Sequence, residues 1–165
     1  MLVPVIDSEA CEAVPEKRLS VLPQGVAERR GLLVYKLAAE LFLRITPHFE
    51  ALGIDGRDYY LLAVLSNDAP GSQAELARLC SLLPAQLVPV LDALEQEGLV
   101  ERRRDDRDRR RMIVRITDEG RSRLQAADEA SRAIEEDLLA AVDDDLRDAL
   151  ADGFRASLGA PAATA

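Results

Sequence analysis

Seven arginines and three aspartates fill the ten residues from Arg102 to Arg111. Guanidinium groups at this density are anion-binding chemistry: each carries a permanent charge and a planar fork of donors that matches phosphate. Hydrophobic, β-prone runs flank them, Leu99-Val100 before and Met112-Ile113-Val114-Arg115-Ile116 after. A polar tip between two such runs predicts a two-stranded hairpin. An arginine-studded hairpin placed after a series of short helices is a physical device for holding nucleic acid.

The overall charge argues the other way. The 165 residues carry a formal net charge of −9 at pH 7, which would ordinarily repel a polyanion. The average hides a division, because residues 102–111 are net +4 and the remainder of the chain is therefore −13. Residues 118–152 alone hold twelve acids against four arginines. A molecule with one basic salient and an acidic rear can still meet DNA, in a single orientation.

Composition limits the function classes further. Hydrophobic residues make up 48% and charged residues 31%, with no tryptophan and 4% aromatics, so the core is aliphatic, in the manner of helical proteins. The longest apolar stretches fall far below the roughly 20 residues a membrane span needs. Met1 to Ile6 lacks the basic lead and cleavage pattern of a signal peptide, and Cys11 and Cys80 do not suggest a disulfide framework. The reading is therefore a cytoplasmic protein with no membrane partner. One histidine and two separated cysteines cannot assemble a metal set with sensible spacing. No Gly-rich phosphate loop and no nucleophile with a base partner stand out, so neither an enzyme nor a cofactor is expected.

The elements that must position the arginines follow from periodicity. Residues 1–25 contain Pro4, Pro15 and Pro23 and read as an irregular arm. From Val26 the pattern turns helical, with Leu33, Leu37, Leu41 and Ile45 every four residues; Pro47 is expected to bend or end this helix. Asp58–Leu65 predicts a second, buried helix. Ser72-Gln73-Ala74-Glu75 has capping-box form ahead of a short helix ending near Ser81. A further helix over Leu83–Gln96 stops at Gly98, and the hairpin follows. Thr117 caps a long helix to about Val142, and Asp143-Asp144-Asp145 suits the positive start of a last helix ending near Leu158. The two C-terminal helices and the first one leave more apolar stripe than a small core covers, which mutual burial in a homodimer would resolve.

This order resembles a winged helix-turn-helix with dimerisation helices, and the residues that close it resemble the MarR family of bacterial transcription regulators. Leu94-Glu95-x-x-Gly98-Leu99-Val100-x-Arg102 matches the family's approach to the wing, and Asp108-x-Arg110-x-x-x-Val114-x-Ile116-Thr117-x-x-Gly120 matches its wing and following helix. The resemblance spans about residues 26–158. It implies a mainly α fold with a small β-hairpin: a first dimerisation helix over 26–53, a winged helix-turn-helix DNA-binding lobe over 54–116, C-terminal dimerisation helices over 117–158, and a frayed tail over 159–165. It also implies a homodimer on double-stranded, pseudo-palindromic operator DNA, with half-sites roughly 10 base pairs apart, released by a small lipophilic or phenolic effector.

The resemblance assigns roles residue by residue. Asp108 would hold Arg110 ready for the minor groove, while Arg102, Arg103, Arg104, Arg107 and Arg109 are placed to meet phosphates. Ser72 and Gln73 begin the helix whose exposed amides meet a phosphate. His48, Phe49, Tyr59 and Tyr60 fall in the region that lines the family's effector cavity. Cys11 lies well before the first helix with Glu9 and Glu12 beside it, a poor setting for a thiol sensor.

The sequence departs from the family at the helix that reads bases. Relatives usually carry Ser, Thr, Lys or Arg near its start; here the run is Leu83-Pro84-Ala85-Gln86-Leu87-Val88-Pro89, with Gln86 its one polar side chain. Gln86 can pair with adenine, and Ala85 or Val88 can touch a thymine methyl. Pro89 is expected either to bend the helix or to make it start afresh near Val88. The alternative function is a MarR-like dimer with degraded operator reading, in which Leu83, Pro84, Val88 and Pro89 form an apolar surface for a protein partner or the fold serves as a ligand-binding module.

Overall fold

A computed structural model of the chain describes residues 22–67, 72–104 and 112–159. Two compact units divide the chain, residues 1–37 and 38–165. In the first, α1 is one turn, Gln24–Ala27, closed by Val26 and Ala27 amides donating to the Pro23 carbonyl. The first long helix, α2 (Arg30–Ala51), begins after a break at Glu28-Arg29 rather than at Val26. Within this unit Leu32, Leu33, Val34, Tyr35 and Leu37 are all exposed.

The second unit contains the last turns of α2, α3 (Gly56–Asn67), α4 (Gln73–Leu79), α5 (Pro84–Gln96), strands β1 (Val100–Arg104) and β2 (Met112–Ile116), α6 (Asp118–Leu138) and α7 (Asp144–Ser157). Its core is aliphatic: Leu61 and Leu62 of α3, Leu76 of α4, Leu87, Leu91 and Leu94 of α5, and Leu99 are fully buried. Helix α3 packs on α6 and β2, and α5 on α4 and β1.

Pro47 lies inside α2 and does not end it. A proline there forgoes only the one hydrogen bond its amide would give Leu43. Ile45 and Phe49 on either side are buried and hold the last turn in the core, and the Thr46 hydroxyl donates to the Phe42 carbonyl at 2.7 Å. Helix α3 opens on a reciprocal pair, Asp55 Oδ1 accepting from the Asp58 amide at 2.8 Å and Asp58 Oδ2 from the Asp55 amide at 3.0 Å. Burial holds the Asp58 carboxyl above the usual carboxylate range.

Helix α6 ends at Leu138, short of the Val142 that its apolar spacing suggests. Thr117 caps it, its Oγ1 accepting from the Gly120 amide at 3.0 Å. The cap of α7 is Asp143, accepting from the Leu146 amide at 2.9 Å. No residue of α7 is buried, and Leu146, Leu150 and Phe154, spaced every four residues, are exposed. Among the described residues no single helix is long and apolar enough to cross a membrane.

Candidate nucleic-acid interface

Helices α4 and α5 turn through 101° at the break between them, within the range of helix-turn-helix pairs. Ser72 starts α4 by accepting from the Glu75 amide at 3.2 Å. Ser81 makes the corner with a left-handed backbone, φ 54°, and the Leu82 amide donates to the Ala77 carbonyl at 2.8 Å. Helix α5 then runs unbroken from Pro84 to Gln96 with Pro89 inside it, so it does not start afresh near Val88. Pro89 and Ala85 are both exposed, and the Ala85 carbonyl that loses its intrahelical donor sits on that wetted side. Gly98, at φ 72°, ends the helix and turns the chain into β1.

The hairpin register pairs Val100 with Ile116, Arg102 with Val114 and Arg104 with Met112, and Glu101 with Arg115 and Arg103 with Ile113. Side chains alternate along a strand, so Arg102 and Arg104 share the face of the buried Val100, Val114 and Ile116, while Arg103 and Arg115 lie on the other. Arg103, Arg104 and Arg115 are exposed. Arg103 Nε lies 2.9 Å from Glu101 Oε1.

Arg102 departs from the phosphate role expected of it. Its guanidinium lies 2.5 Å from Asp92 Oδ1 and 3.3 Å from Glu95 Oε2, and it donates to the Val88 carbonyl at 3.3 Å; its backbone amide donates to Glu95 Oε1 at 3.0 Å. Four contacts from one residue tie the hairpin to the helix before it. Asp92 and Glu95 sit one and two turns beyond Val88 on α5, and only the folded register of β1 brings Arg102 to both.

Of the other residues read as DNA contacts, Ala85 and Gln86 are exposed in the first turn of α5, Ser72 and Gln73 are half-buried at the start of α4, and Arg104 is exposed at the end of β1. Gln86 has a local duty: its Oε1 accepts from the Leu83 amide at 2.9 Å and stabilises the start of α5. Arg107, Asp108, Arg109 and Arg110 lie outside the described residues, as does Cys11.

The four aromatic-region residues divide. Phe49 is buried and its ring centroid is 4.8 Å from that of Tyr59, whose hydroxyl donates to Asp128 Oδ1 of α6 at 2.7 Å. Burial first, and then the Asp128 bond, push the Tyr59 phenol up to about 12. Tyr60, the next residue round α3, is exposed with its hydroxyl 3.5 Å from the Leu79 carbonyl of α4, and His48 is exposed. Cys80 is half-buried, which raises its thiol and disfavours the reactive thiolate.

The MarR family profile matches residues 57–112, from α3 to the first residue of β2. The HTH-type transcriptional repressor Mb2911 of Mycobacterium bovis is 31% identical over 110 residues, which is 67% of this chain and 79% of the relative. The chain belongs to the MarR family. The uncharacterized HTH-type transcriptional regulator YdgJ of Bacillus subtilis is 33% identical over 105 residues, and the match covers 63% of this MarR-family chain and 64% of YdgJ, a little under two thirds of that relative. Among solved structures, the transcriptional repressor CouR bound to a 23-mer DNA duplex aligns with a TM-score of 0.70 at 27% identity, over 82% of this chain and 96% of that one. CouR from Rhodococcus jostii RHA1 bound to p-coumaroyl-CoA gives 0.70 at 25% identity, over 87% and 100%. The mainly helical fold with its two-stranded wing is the family's, and the matched relatives are transcription regulators rather than enzymes.

Proposed function

We propose that this MarR-family chain is a homodimeric, sequence-specific DNA-binding repressor that a small lipophilic or phenolic effector releases from its operator. The observation that carries the reading is the 101° helix pair followed directly by an antiparallel hairpin whose strands flank the arginine run. In this reading α5 enters the major groove, Ser72 and Gln73 approach a phosphate at the start of α4, and Arg104, Arg107 and Arg109 grip the backbone. Asp108 holds Arg110 for the minor groove, where an ordered carboxylate–guanidinium fork lowers the entropy lost on insertion.

The exposed apolar residues support the dimer. Leu32, Leu33, Val34, Tyr35 and Leu37 in the first unit, and Leu146, Leu150 and Phe154 in the second, have no covering partner among the described residues, and a second copy would remove them from water. Residues 26–53 and 117–158 would then supply the dimer contacts and 54–116 the DNA-binding lobe. The bound p-coumaroyl-CoA of CouR, a phenolic acyl thioester, supports an effector of that class; with Phe49 buried behind Tyr59, the half-buried Tyr59 and the exposed His48 and Tyr60 are the side chains that would meet it.

The test is selection of duplexes from a random library by the full-length protein at low salt. Enrichment of a pseudo-palindrome, lost on Arg110→Ala, is the expected outcome. Absence of enrichment, or enrichment indifferent to Arg110→Ala, contradicts the reading and favours a dimer whose apolar α5 surface serves a protein partner.

A further inference from the structure

The base-reading end of α5 has an unusual surface. At about 3.6 residues per turn, Ala85, Val88, Pro89 and Asp92 share one exposed face, distinct from the side of the buried Leu87, Leu91 and Leu94, and the exposed Pro84 lies at its edge. Leu83, immediately before the helix, is 67% exposed and Val88 is 46% exposed. Every residue of that face ahead of Asp92 is apolar. Gln86 stands at its edge, and its carbonyl oxygen is engaged with the Leu83 amide at 2.9 Å, which leaves the Nε2 group as donor. A bidentate Gln–adenine pair needs both ends of the amide, so Gln86 enters a groove with one end already taken.

An apolar face of this kind would repel a polyanion if the acid beside it were uncompensated. Asp92 is that acid, one turn on from Val88, and the Arg102 guanidinium 2.5 Å away, shared with Glu95, offsets part of its charge. The flanking strand presents exposed Arg103 and Arg104. The cation that borders the apolar strip is Arg102, whose guanidinium donates to the Val88 carbonyl at 3.3 Å, and the strip lies on the helix assigned above to the major groove. In a major groove the one apolar group on a base edge is the thymine C5 methyl.

We infer that the start of α5 reads its operator through thymine methyl groups, with Leu83, Pro84, Ala85, Val88 and Pro89 as the contact surface and Gln86 Nε2 as its single hydrogen-bond donor. The inference rests on the DNA-binding reading and adds the chemistry of recognition. It follows that half-sites carry thymines at the contacted positions, and that discrimination comes from packing rather than from a set of paired hydrogen bonds.

The experiment replaces thymine by deoxyuridine in the half-sites of a duplex selected by the full-length protein, removing the methyl and leaving every base-pair hydrogen bond. Affinity should fall about fourfold per contacted methyl, and the penalty should shrink in Val88→Ser and Leu83→Ala, whose exposed positions leave the fold intact. A deoxyuridine duplex bound within twofold of the parent overturns the inference while the DNA-binding reading stands, and returns the apolar face to a protein partner. A penalty of equal size in wild type and both variants also overturns it, since the methyl would then act through duplex stiffness. Failure of selection to enrich any duplex overturns the reading and the inference together.

Discussion

Asp92 of α5 and Arg102 of β1 are joined at 2.5 Å across the junction of helix and hairpin, and the same guanidinium reaches Glu95 at 3.3 Å. The pair does two things at once. It fixes the hairpin against the helix proposed to read bases, and it offsets part of a negative charge on that helix's outward face. Arg102→Ala should therefore cost roughly 1–2 kcal/mol of stability and weaken DNA binding more than that loss explains. Adding Asp92→Asn should restore much of the affinity, because the repulsive charge goes with it. Equilibrium binding of the single and double variants to one selected duplex checks this; strictly additive losses would contradict the charge-offsetting role.

Gly120 is held to glycine by a close approach. A Cβ built there would lie 2.1 Å from the Leu99 carbonyl oxygen and 2.8 Å from Ile116 Cγ1. The Thr117 hydroxyl closes the same corner, reaching the Gly98 and Leu99 carbonyls at 2.7 and 3.1 Å. Gly120→Ala must push α6 away from the helix–strand junction, an overpacking cost of at least about 2 kcal/mol. Urea denaturation measures it, and a change under about 0.5 kcal/mol would show that the junction yields freely.

Tyr59 links α3 to α6 through its 2.7 Å bond to Asp128. Its phenol, raised to about 12 from the ordinary value of 10, holds its proton more tightly in the folded than in the unfolded chain. That contribution is complete below pH 10 and is lost as the pH climbs toward 12. Tyr59→Phe should lower stability by about 1 kcal/mol at neutral pH and show a shallower decline between pH 10 and 12 than wild type. Identical declines in both proteins would remove Tyr59 from the alkaline transition.

The exposed stripe of α7 offers a clean test of assembly. Phe154→Asp, at a position 49% exposed in the single chain, should leave helical content unchanged while converting the proposed dimer to monomer in sedimentation equilibrium. DNA binding should fall with it, since a lone lobe engages one half-site. A variant that stays dimeric would move the interface away from α7.

Much of this arrangement is legible in the sequence. Local chemistry carried it: Ser72, Thr117 and Asp143 are caps whose acceptor sits at the right distance from the next free amide, Gly98 stops α5 in a left-handed turn, and the alternation in Met112–Ile116 marks a strand with one buried face. The ending foreseen at Pro47 and the fresh start foreseen near Val88 do not occur, because a proline's lost hydrogen bond is weighed against what its neighbours bury, which the sequence alone does not show. Ile45 and Phe49 around Pro47, and Leu87 and Val90 around Pro89, are core residues that hold the helix together. Arg102 was illegible for a different reason. One arginine among seven has no distinguishing local context, and its partners Asp92 and Glu95 become neighbours only through the fold. The clearance at Gly120 is likewise a tertiary distance, although the glycine's place in the wing motif had singled it out.

The dependence of DNA affinity on salt tests the central claim most directly, because a grip made of guanidinium groups on phosphates must release counterions. Measured on a selected duplex across sodium chloride concentrations, log affinity should fall against log salt with a slope of about −5 per dimer, the value for roughly six neutralised phosphates, and Arg104→Ala should make that slope shallower. A slope near zero, or one untouched by removing arginines from the hairpin, would contradict a DNA grip made by the wing.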